Sequence, residues 1–286
     1  MGEKAAEHRT FSRFSPSKLA GFLALCLLAA LFVMPFVWML GTSLTPAAEM
    51  IRVDRPILPR HPAWENYRVA LTVMPFYLFL KNTLVVALLC VIGQTTSAAL
   101  VAFAFARLRF PFREPLFLVV LATMMLPPQV TMIPQFILFT IPGWIDSLKP
   151  LIVPSFFAEG AFYIFILRQF FLTIPKDLEE AARLDGCNTF QVFFHVALPA
   201  SRPALATVAL FSFIYNWNDF LRPLIYTQSL ETKTLAVGLN AFKDMHGTEY
   251  HLMMAAAVAV LLPVIVIFFF TQRYFTEGVV MSGVKG

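Results

Sequence analysis

Ionisable and amide side chains that interrupt long apolar runs are the residues of this sequence best suited to chemistry. Glu159 interrupts one such run, and Trp217, Asn218 and Asp219 end another. Carboxylate and amide groups match the hydroxyl groups of a neutral polyol, and the flat indole of Trp217 would cover the apolar side of a sugar ring. These four residues are candidates for a substrate pathway. Two structural alternatives stay open, namely that Glu159 lies near an outer loop and that Asp219 pairs internally with Arg222.

The sequence lacks the residue spacing of the common catalytic, metal and nucleotide sites. No H-E-x-x-H pair, no defensible Ser-His-Asp order and no G-x-x-x-x-G-K-[ST] sequence occurs. The cysteines are scattered without metal-ligand spacing and are most simply small apolar side chains: Cys26, Cys90 and Cys187. We therefore expect no catalysis, no metal site and no cofactor in this chain.

The composition is that of a polytopic membrane protein. Of the 286 residues, 58% are hydrophobic and 14% are charged, and the mean hydropathy is +0.71. Soluble domains carry about 25% charged residues, so a water-soluble globule and a nucleic-acid-binding domain are excluded. The net charge of +5 comes from basic residues that punctuate apolar runs, which is the pattern of a protein oriented in a lipid bilayer.

Six apolar stretches are long enough to cross a bilayer, which requires about 20 residues of helix. The sequence therefore predicts an all-α fold with six transmembrane helices at 19–40, between Lys81 and Arg107, at 115–145, at 150–172, from Pro203 up to Asp219, and at 252–272.

Two of these stretches carry residues that need an explanation. Proline breaks the helical ladder, so Pro127, Pro128 and Pro134 in the third stretch predict either a broken helix facing a pathway or a kink that only shapes packing. The second stretch carries a polar run, which we expect to form hydrogen bonds between helices: Gln94, Thr95, Thr96 and Ser97.

The basic residues predict that both termini are cytoplasmic. The short second loop carries Arg107, Arg109 and Arg113, whereas the short third loop carries only Lys149. Because cytoplasmic loops are enriched in Lys and Arg, this bias places the second and fourth loops in the cytoplasm. The organisation is then a cytoplasmic tail at 1–18, a six-span domain at 19–273 with a cytoplasmic loop at 174–203, and a cytoplasmic tail at 274–286.

The loop at 174–203 is predicted to form two short helices with a glycine turn between them. Acidic residues crowd the start of the first helix, and Glu179 is placed to pair with Arg183 one turn later. Gly186 supplies a left-handed stop after the first helix. Asn188 and Gln191 resemble a capping box that opens the second helix, which Pro199 is expected to end.

The second short helix carries more aromatic surface than a solvent-exposed loop requires. Phe190, Phe193 and Phe194 lie in a helix too short to cross a bilayer. Asp185 lies at the carboxyl end of the first helix, where the helix dipole disfavours an anion. Either these side chains pack against the protein's own helices, or they dock into a groove on another subunit.

The same segment resembles the EAA loop of ABC-importer permeases, which is written EAA, three residues, G, nine residues, I-x-L-P. The matching residues are Glu180, Ala181, Ala182, Gly186, Val196 (in place of Ile), Leu198 and Pro199. Further blocks are similar to the carbohydrate-uptake class, and the ending is similar to its maltose-type second permease subunit: 64–67, 168–171, 217–220, 223–226 and 272–286.

This resemblance implies a type I ABC-importer permease fold and a sugar as substrate. It implies as partners a second homologous permease, two ATPase subunits that bind ATP and Mg²⁺, and an extracytoplasmic solute-binding protein. The residues expected to couple this chain to the ATPase are those of the EAA loop and two phenylalanines of the second short helix. They are Glu180, Ala181, Ala182, Asp185, Gly186, Phe190, Phe193, Leu198 and Pro199. The alternatives are an ion-coupled secondary transporter, a membrane-embedded enzyme, and a permease for glycerol phosphate or another polyol.

Overall fold

The structure, a computed structural model, describes the backbone of residues 16–52, 54–240, 242 and 249–283, and the side chains within these ranges from 18 to 269. Most of the amino-terminal tail predicted at 1–18 and the last three residues of the tail predicted at 274–286 therefore lie outside it. Within the described ranges the chain is helical and contains no β-strand. This confirms the all-α prediction.

Fourteen α-helices are described, and three of them are single turns. They are α1 (Pro16–Ser43), α2 (Glu65–Val73), α3 (Phe76–Arg107), α4 (Arg113–Ala122), α5 (Pro128–Thr140), α6 (Lys149–Ile152), α7 (Ala161–Thr173), α8 (Lys176–Leu184), α9 (Thr189–Val192), α10 (Leu198–Ala200), α11 (Arg202–Trp217), α12 (Leu221–Tyr226), α13 (Leu235–Asn240) and α14 (Tyr250–Gly283).

Four helical segments of the described chain are long and apolar enough to cross a membrane: 18–43, 76–107, 149–173 and 250–269. Two further pairs of helical segments qualify only if each bent pair counts as one span. The segments 113–125 and 128–140 meet at 99°, and the segments 189–200 and 202–217 meet at 79°. By length and composition, six spans are reached only with this count. The fifth span predicted from Pro203 coincides with the segment 202–217, and the segment 189–200 belongs to the loop predicted at 174–203.

The third predicted span is broken at its prolines. The helical segment that begins with α4 ends after Met125. Pro128 begins α5 at its first turn, where a backbone N–H would have no partner within the helix. Pro134 lies inside α5 without ending it. The span predicted within 115–145 is therefore interrupted, and of the two interpretations offered for the prolines the structure shows the break itself.

The fourth span is also interrupted, at Glu159. Its first part is α6 with a 3₁₀ turn up to Phe157, and its second part is α7. Ala158 and Gly160 between the two parts have φ of +61° and +118°. Such left-handed backbone cannot continue a right-handed helix, so the span breaks on either side of Glu159.

The long helix α3 forms the centre of the bundle. It packs against α7, α11 and the turn at 153–157, while α1 packs against α14 at the periphery. Gly93 lets the turn come close, because a Cβ there would overlap Ser155 and Phe156. One end of α3, at Arg107, approaches the loop at 174–203, and Asn82 near its other end donates to the carbonyls of Glu231 and Lys233.

Two loops are joined at the Asn82 end of α3 by the Asp146 carboxylate. Its Oδ1 accepts hydrogen bonds from the backbone amides of Gln228 and Ser229 at 2.8 Å and from the Thr232 hydroxyl at 2.8 Å. These donated bonds, with the Ser229 amide first, hold the pKa of Asp146 well below its ordinary value. The third loop is thereby fixed to the loop that follows α12.

Candidate functional site

The first candidate site is the turn that joins α8 to α9. The Gly186 amide donates to the Arg183 carbonyl and the Cys187 amide donates to the Ala182 carbonyl, both at 3.0 Å. This is the pattern of a Schellman motif, and Gly186 has the positive φ, +89°, that the motif requires. The predicted left-handed stop is confirmed.

The second short helix begins at the predicted capping box. The Gln191 amide donates to the Asn188 side chain at 2.9 Å, and the Asn188 amide donates to the Gln191 side chain at 2.7 Å. The helix does not end at Pro199, because a π-helical turn at 193–197 leads directly into α10. The wider turn leaves room for the proline ring, which would meet the carbonyl of His195 in a regular α-helix.

Most of the predicted coupling residues are exposed at this surface. The exposed members are Glu180, Ala181, Asp185, Gly186, Phe190 and Pro199, and the half-buried members are Ala182 and Leu198. Phe193 is the exception. It is 4% exposed, and its ring lies 5.0 Å from that of Phe103 in the protein's own core. The prediction that Phe193 anchors a partner subunit is therefore wrong.

Two further large side chains are exposed beside this site: Leu184, which the sequence did not indicate, and Phe194, one of the three phenylalanines considered for docking. Leu184, the last residue of α8, is 90% exposed, and Phe194 is 55% exposed. Phe194 lies one turn after Phe190, which is 70% exposed, so the two rings share one side of the helix. Helical spacing alone could not distinguish Phe194 from Phe193, because residues three and four positions after Phe190 both lie on its side of a helix.

The predicted pairing of Glu179 with Arg183 is wrong. The Glu179 carboxylate instead lies 2.6 Å from Nε of Arg107 at the end of α3. The side chains of Arg107 and Glu179 are 4% and 9% exposed. The atoms approach outside hydrogen-bonding geometry, so the contact is an ion pair.

The second candidate site is an ionic cluster around Arg222 of α12. Its Nε lies 2.5 Å from the Asp219 carboxylate, its Nη1 lies 3.4 Å from Glu159, and its Nη2 donates to Asn216 at 2.9 Å. The internal Asp219–Arg222 pair, which was one of the open alternatives, is thus the observed arrangement. Asn216 was missed as a cluster member because its partners, Gln94 and Arg222, lie on other helices.

The structure buries Trp217 in the protein's own core. Trp217 is 3% exposed and stacks on Phe213 at 5.3 Å, so its prediction as a platform for a sugar ring is wrong. Asn218 is exposed and donates to the Ile214 carbonyl at the end of α11. Tyr215 on the same helix is exposed, and its ring centroid lies 5.1 Å from the Arg222 guanidinium.

The polar run in α3 joins helices, as predicted for Gln94 and Ser97. Gln94 accepts hydrogen bonds from Ser212 at 2.6 Å and from Asn216 at 3.2 Å on α11. Ser97 donates to the Ser155 carbonyl at 2.9 Å. Because Asn216 also accepts from Arg222, α3 is connected to the ionic cluster.

The comparisons with known proteins decide the family. Residues 94–280 match the model of the binding-protein-dependent transport system inner membrane components. The chain belongs to that family. The matched range begins at Gln94 and contains both candidate sites, the loop at 174–203 and the Arg222 cluster.

Relatives of this inner membrane component are ABC permeases over nearly their full length. The arabinooligosaccharides transport system permease protein AraQ of Bacillus subtilis (strain 168) is 33% identical over 277 residues, covering 96% of this chain and 98% of AraQ. The sn-glycerol-3-phosphate transport system permease protein UgpE of Rhizobium meliloti (strain 1021) is 33% identical, with 92% and 96% covered. The diacetylchitobiose uptake system permease protein DasC of Streptomyces coelicolor is 29% identical, with 89% and 92% covered.

A solved structure has the same fold as this permease subunit. A chain of a bacterial ABC transporter involved in the import of the acidic polysaccharide alginate matches with a TM-score of 0.79 at 24% identity, covering 92% of this chain and 99% of that chain. The type I ABC-importer permease fold predicted for this chain is confirmed.

Neither candidate site has the composition of a metal centre. Among the residues that the structure describes, no group of three or more His, Cys, Asp or Glu side chains could hold a metal ion. The two candidate sites consist of an exposed surface with apolar and acidic side chains at 180–199 and the charged groups around Arg222.

Proposed function

We propose that this chain is one of the two permease subunits of an ATP-driven importer that moves an uncharged sugar across the cytoplasmic membrane. The observation that carries the proposal is the rigid, exposed turn of α8 and α9, which presents Leu184, Phe190 and Phe194. Large apolar side chains that stay exposed outside the membrane spans mark a docking surface for another protein.

The occupant of this surface is an ATPase subunit that binds ATP and Mg²⁺. Glu180 and Asp185 add negative charge beside the apolar groups, so a partner with a basic rim around an apolar cleft would fit. Closure of two such ATPases would push the α8–α9 surfaces of the two permeases together and turn the spans from inward-facing to outward-facing.

The charge of the Arg222 cluster favours an uncharged solute. Glu159 and Asp219 carry two negative charges against one positive charge, and Arg222 uses Nε, Nη1 and Nη2 on residues of its own chain. The cluster therefore offers no free cation to a phosphate or uronate group. This supports a neutral saccharide, the class named for AraQ and DasC, over the glycerol phosphate named for UgpE.

The importer as a whole requires further partners. These are a second homologous permease, a second ATPase and an extracytoplasmic solute-binding protein that delivers the sugar. The arginines of the second loop support cytoplasmic termini, with the α8–α9 turn in the cytoplasm and Asp146 on the outer side.

Reconstitution tests this function. The chain is purified with its companion subunits, placed in liposomes with ATP inside and the binding protein outside, and offered labelled arabinotriose, diacetylchitobiose and glycerol 3-phosphate separately. We expect uptake of a neutral saccharide that requires ATP and persists without an ion gradient. ATP-dependent uptake of glycerol 3-phosphate alone would refute the charge argument, and uptake by the isolated chain would refute the dependence on an ATPase.

A further inference from the structure

The helix α8 is held to the rest of the protein by few buried groups. Of its nine residues, Glu179 alone is buried. Ala182 is half-buried against the core, and the other residues of α8 are exposed. The principal buried attachment of α8 is therefore a carboxylate, which is the side chain least suited to burial without a partner.

The partner of Glu179 is shared with a third helix. Arg107 is the last residue of α3, and while its Nε faces Glu179 its Nη2 donates to the Ile174 carbonyl at 2.6 Å. Ile174 is the residue that caps the end of α7. One buried guanidinium thus joins the end of α3, the end of α7 and the buried face of α8.

Movement of α3 would reach the ionic cluster. The helix is continuous from Phe76 to Arg107. Thirteen positions before Arg107, Gln94 accepts a hydrogen bond from Asn216, which in turn accepts from Arg222. A displacement received at Arg107 is therefore delivered, through one stiff helix, to the groups around Glu159.

We propose that Arg107 and Glu179 are the positioning pair that transmits movement of α8 to α3 and so couples ATP hydrolysis to solute movement. This rests on the proposed function. Apolar contacts are non-directional and allow surfaces to slide, whereas a buried charge must keep its partner in place. Burial of this pair makes α8 and α3 move together when the ATPases close.

Three variants separate transmission from simple stability. Glu179→Gln keeps the shape of the side chain and removes its charge. The double variant Arg107→Met/Glu179→Leu replaces the pair by apolar groups, which commonly restores the stability that breaking a buried ion pair removes. Glu114→Gln is the matched control, because it breaks the Arg168–Glu114 pair near the same end of α3, where Glu114 is 56% exposed and does not pair with α8.

The readouts are the melting temperature of the purified complex, the amount of ATPase subunit that co-purifies, and the number of sugar molecules imported per ATP hydrolysed in liposomes. The sugar is the member of the panel above that the unmodified complex takes up best. We expect Glu179→Gln to lower the imported-to-hydrolysed ratio by tenfold or more while the ATPase subunit still co-purifies. The double variant should regain the melting temperature but keep the low ratio, and Glu114→Gln should keep both.

Recovery of the ratio in the double variant would overturn the inference, because the pair would then be structural only. An unchanged ratio in Glu179→Gln, or loss of the ATPase subunit from the double variant, would also overturn it. Failure of the proposed function looks different, since the unmodified complex would then import no member of the panel in an ATP-dependent way.

Discussion

Substitution of Gly186 tests whether the α8–α9 turn is a docking surface. Gly186 has a φ of +89°, and a Cβ built there meets no atom within 4 Å. A substitution thus meets no steric barrier within the chain, and its cost comes from the backbone. Left-handed backbone costs a residue other than glycine about 1–2 kcal/mol, and an anion at a helix carboxyl end costs about 0.3–1 kcal/mol more.

The effect on the complex should be larger than the effect on the chain. A carboxylate left unpaired in a closed interface costs about 3–5 kcal/mol, which corresponds to a loss of ATPase affinity of about 100-fold or more. We therefore expect Gly186→Ala to lower the melting temperature of the purified chain modestly and to retain most of the uptake. Gly186→Asp should leave the protein in the membrane but abolish ATP-dependent uptake.

The assay is uptake in liposomes together with co-purification of the ATPase subunit, measured for Gly186→Ala, Gly186→Asn and Gly186→Asp. Asn is the matched control for Asp, because it has nearly the same shape and tolerates left-handed backbone. Normal uptake and full ATPase recovery in Gly186→Asp would refute the docking surface. Equal losses in all three variants would refute the role of charge and leave only the geometry of the turn.

Three further outcomes follow from the described contacts. Phe193→Ala should lower the melting temperature through loss of about 3–5 kcal/mol of core packing. Phe194→Ala should leave the melting temperature unchanged and reduce ATPase co-purification. A larger loss of melting temperature in Phe194→Ala than in Phe193→Ala would refute the assignment of Phe193 to the core and Phe194 to the surface. Arg222→Met should destabilise the chain by about 3–5 kcal/mol and Arg222→Met/Asp219→Leu should recover part of that loss, as measured by thermal unfolding. The hydrogen bonds to Asp146 keep its pKa low, so its charge-dependent stabilisation is complete above the ordinary pKa of about 4 and is lost as pH falls through the lowered value. Asp146→Asn should therefore melt below the unmodified protein at pH 7, and this difference should shrink in acid.

The sequence predicted those parts of the structure that depend on neighbouring residues. The Schellman turn at Gly186 and the capping box of Asn188 and Gln191 each need only residues within one turn of the helix. Apolar length alone predicted the four helical segments that could cross the membrane, but not the bends in the other two predicted spans. In these cases the competing interactions are weaker than the local ones, so a local rule is sufficient.

Local rules failed where a residue has one possible partner on its own helix and another on a helix that is distant in sequence. Glu179 has Arg183 one turn away, which is the usual exposed pair, yet the end of α3 provides a buried guanidinium at Arg107. An exposed helical pair contributes only about 0.3–0.5 kcal/mol, whereas an unpaired buried Arg107 would cost several times more. Glu179 therefore pairs with Arg107 and not with Arg183, and no pattern within 174–203 indicates this pairing.

The face of α11 was unpredictable for a related reason. Trp217 and Tyr215 both lie in an apolar helix, and hydrophobicity on all sides gives no indication of which side is covered. The structure buries Trp217 against Phe213 and leaves Tyr215 exposed beside the Arg222 guanidinium. Which aromatic side chain is buried depends on the positions of α3 and α14, whose residues pack in the same cluster as Trp217, so it requires the packed bundle.

The arrangement around α3 favours two discrete states over gradual deformation. The helix is held at one end by the Arg107 ion pair, near its middle by the bonds of Gln94 and at the other end by those of Asn82. Each of these contacts joins polar or charged groups of separate elements, and a partial shift would leave buried groups unpaired. Shifts of α3 that break only some of these contacts are therefore costly, so movement of the α8–α9 surface would displace the helix as a unit. The breaks at 126–127 and 158–160 lie in the neighbouring spans, where the backbone is already non-helical, so these are the points at which the bundle can bend as α3 moves.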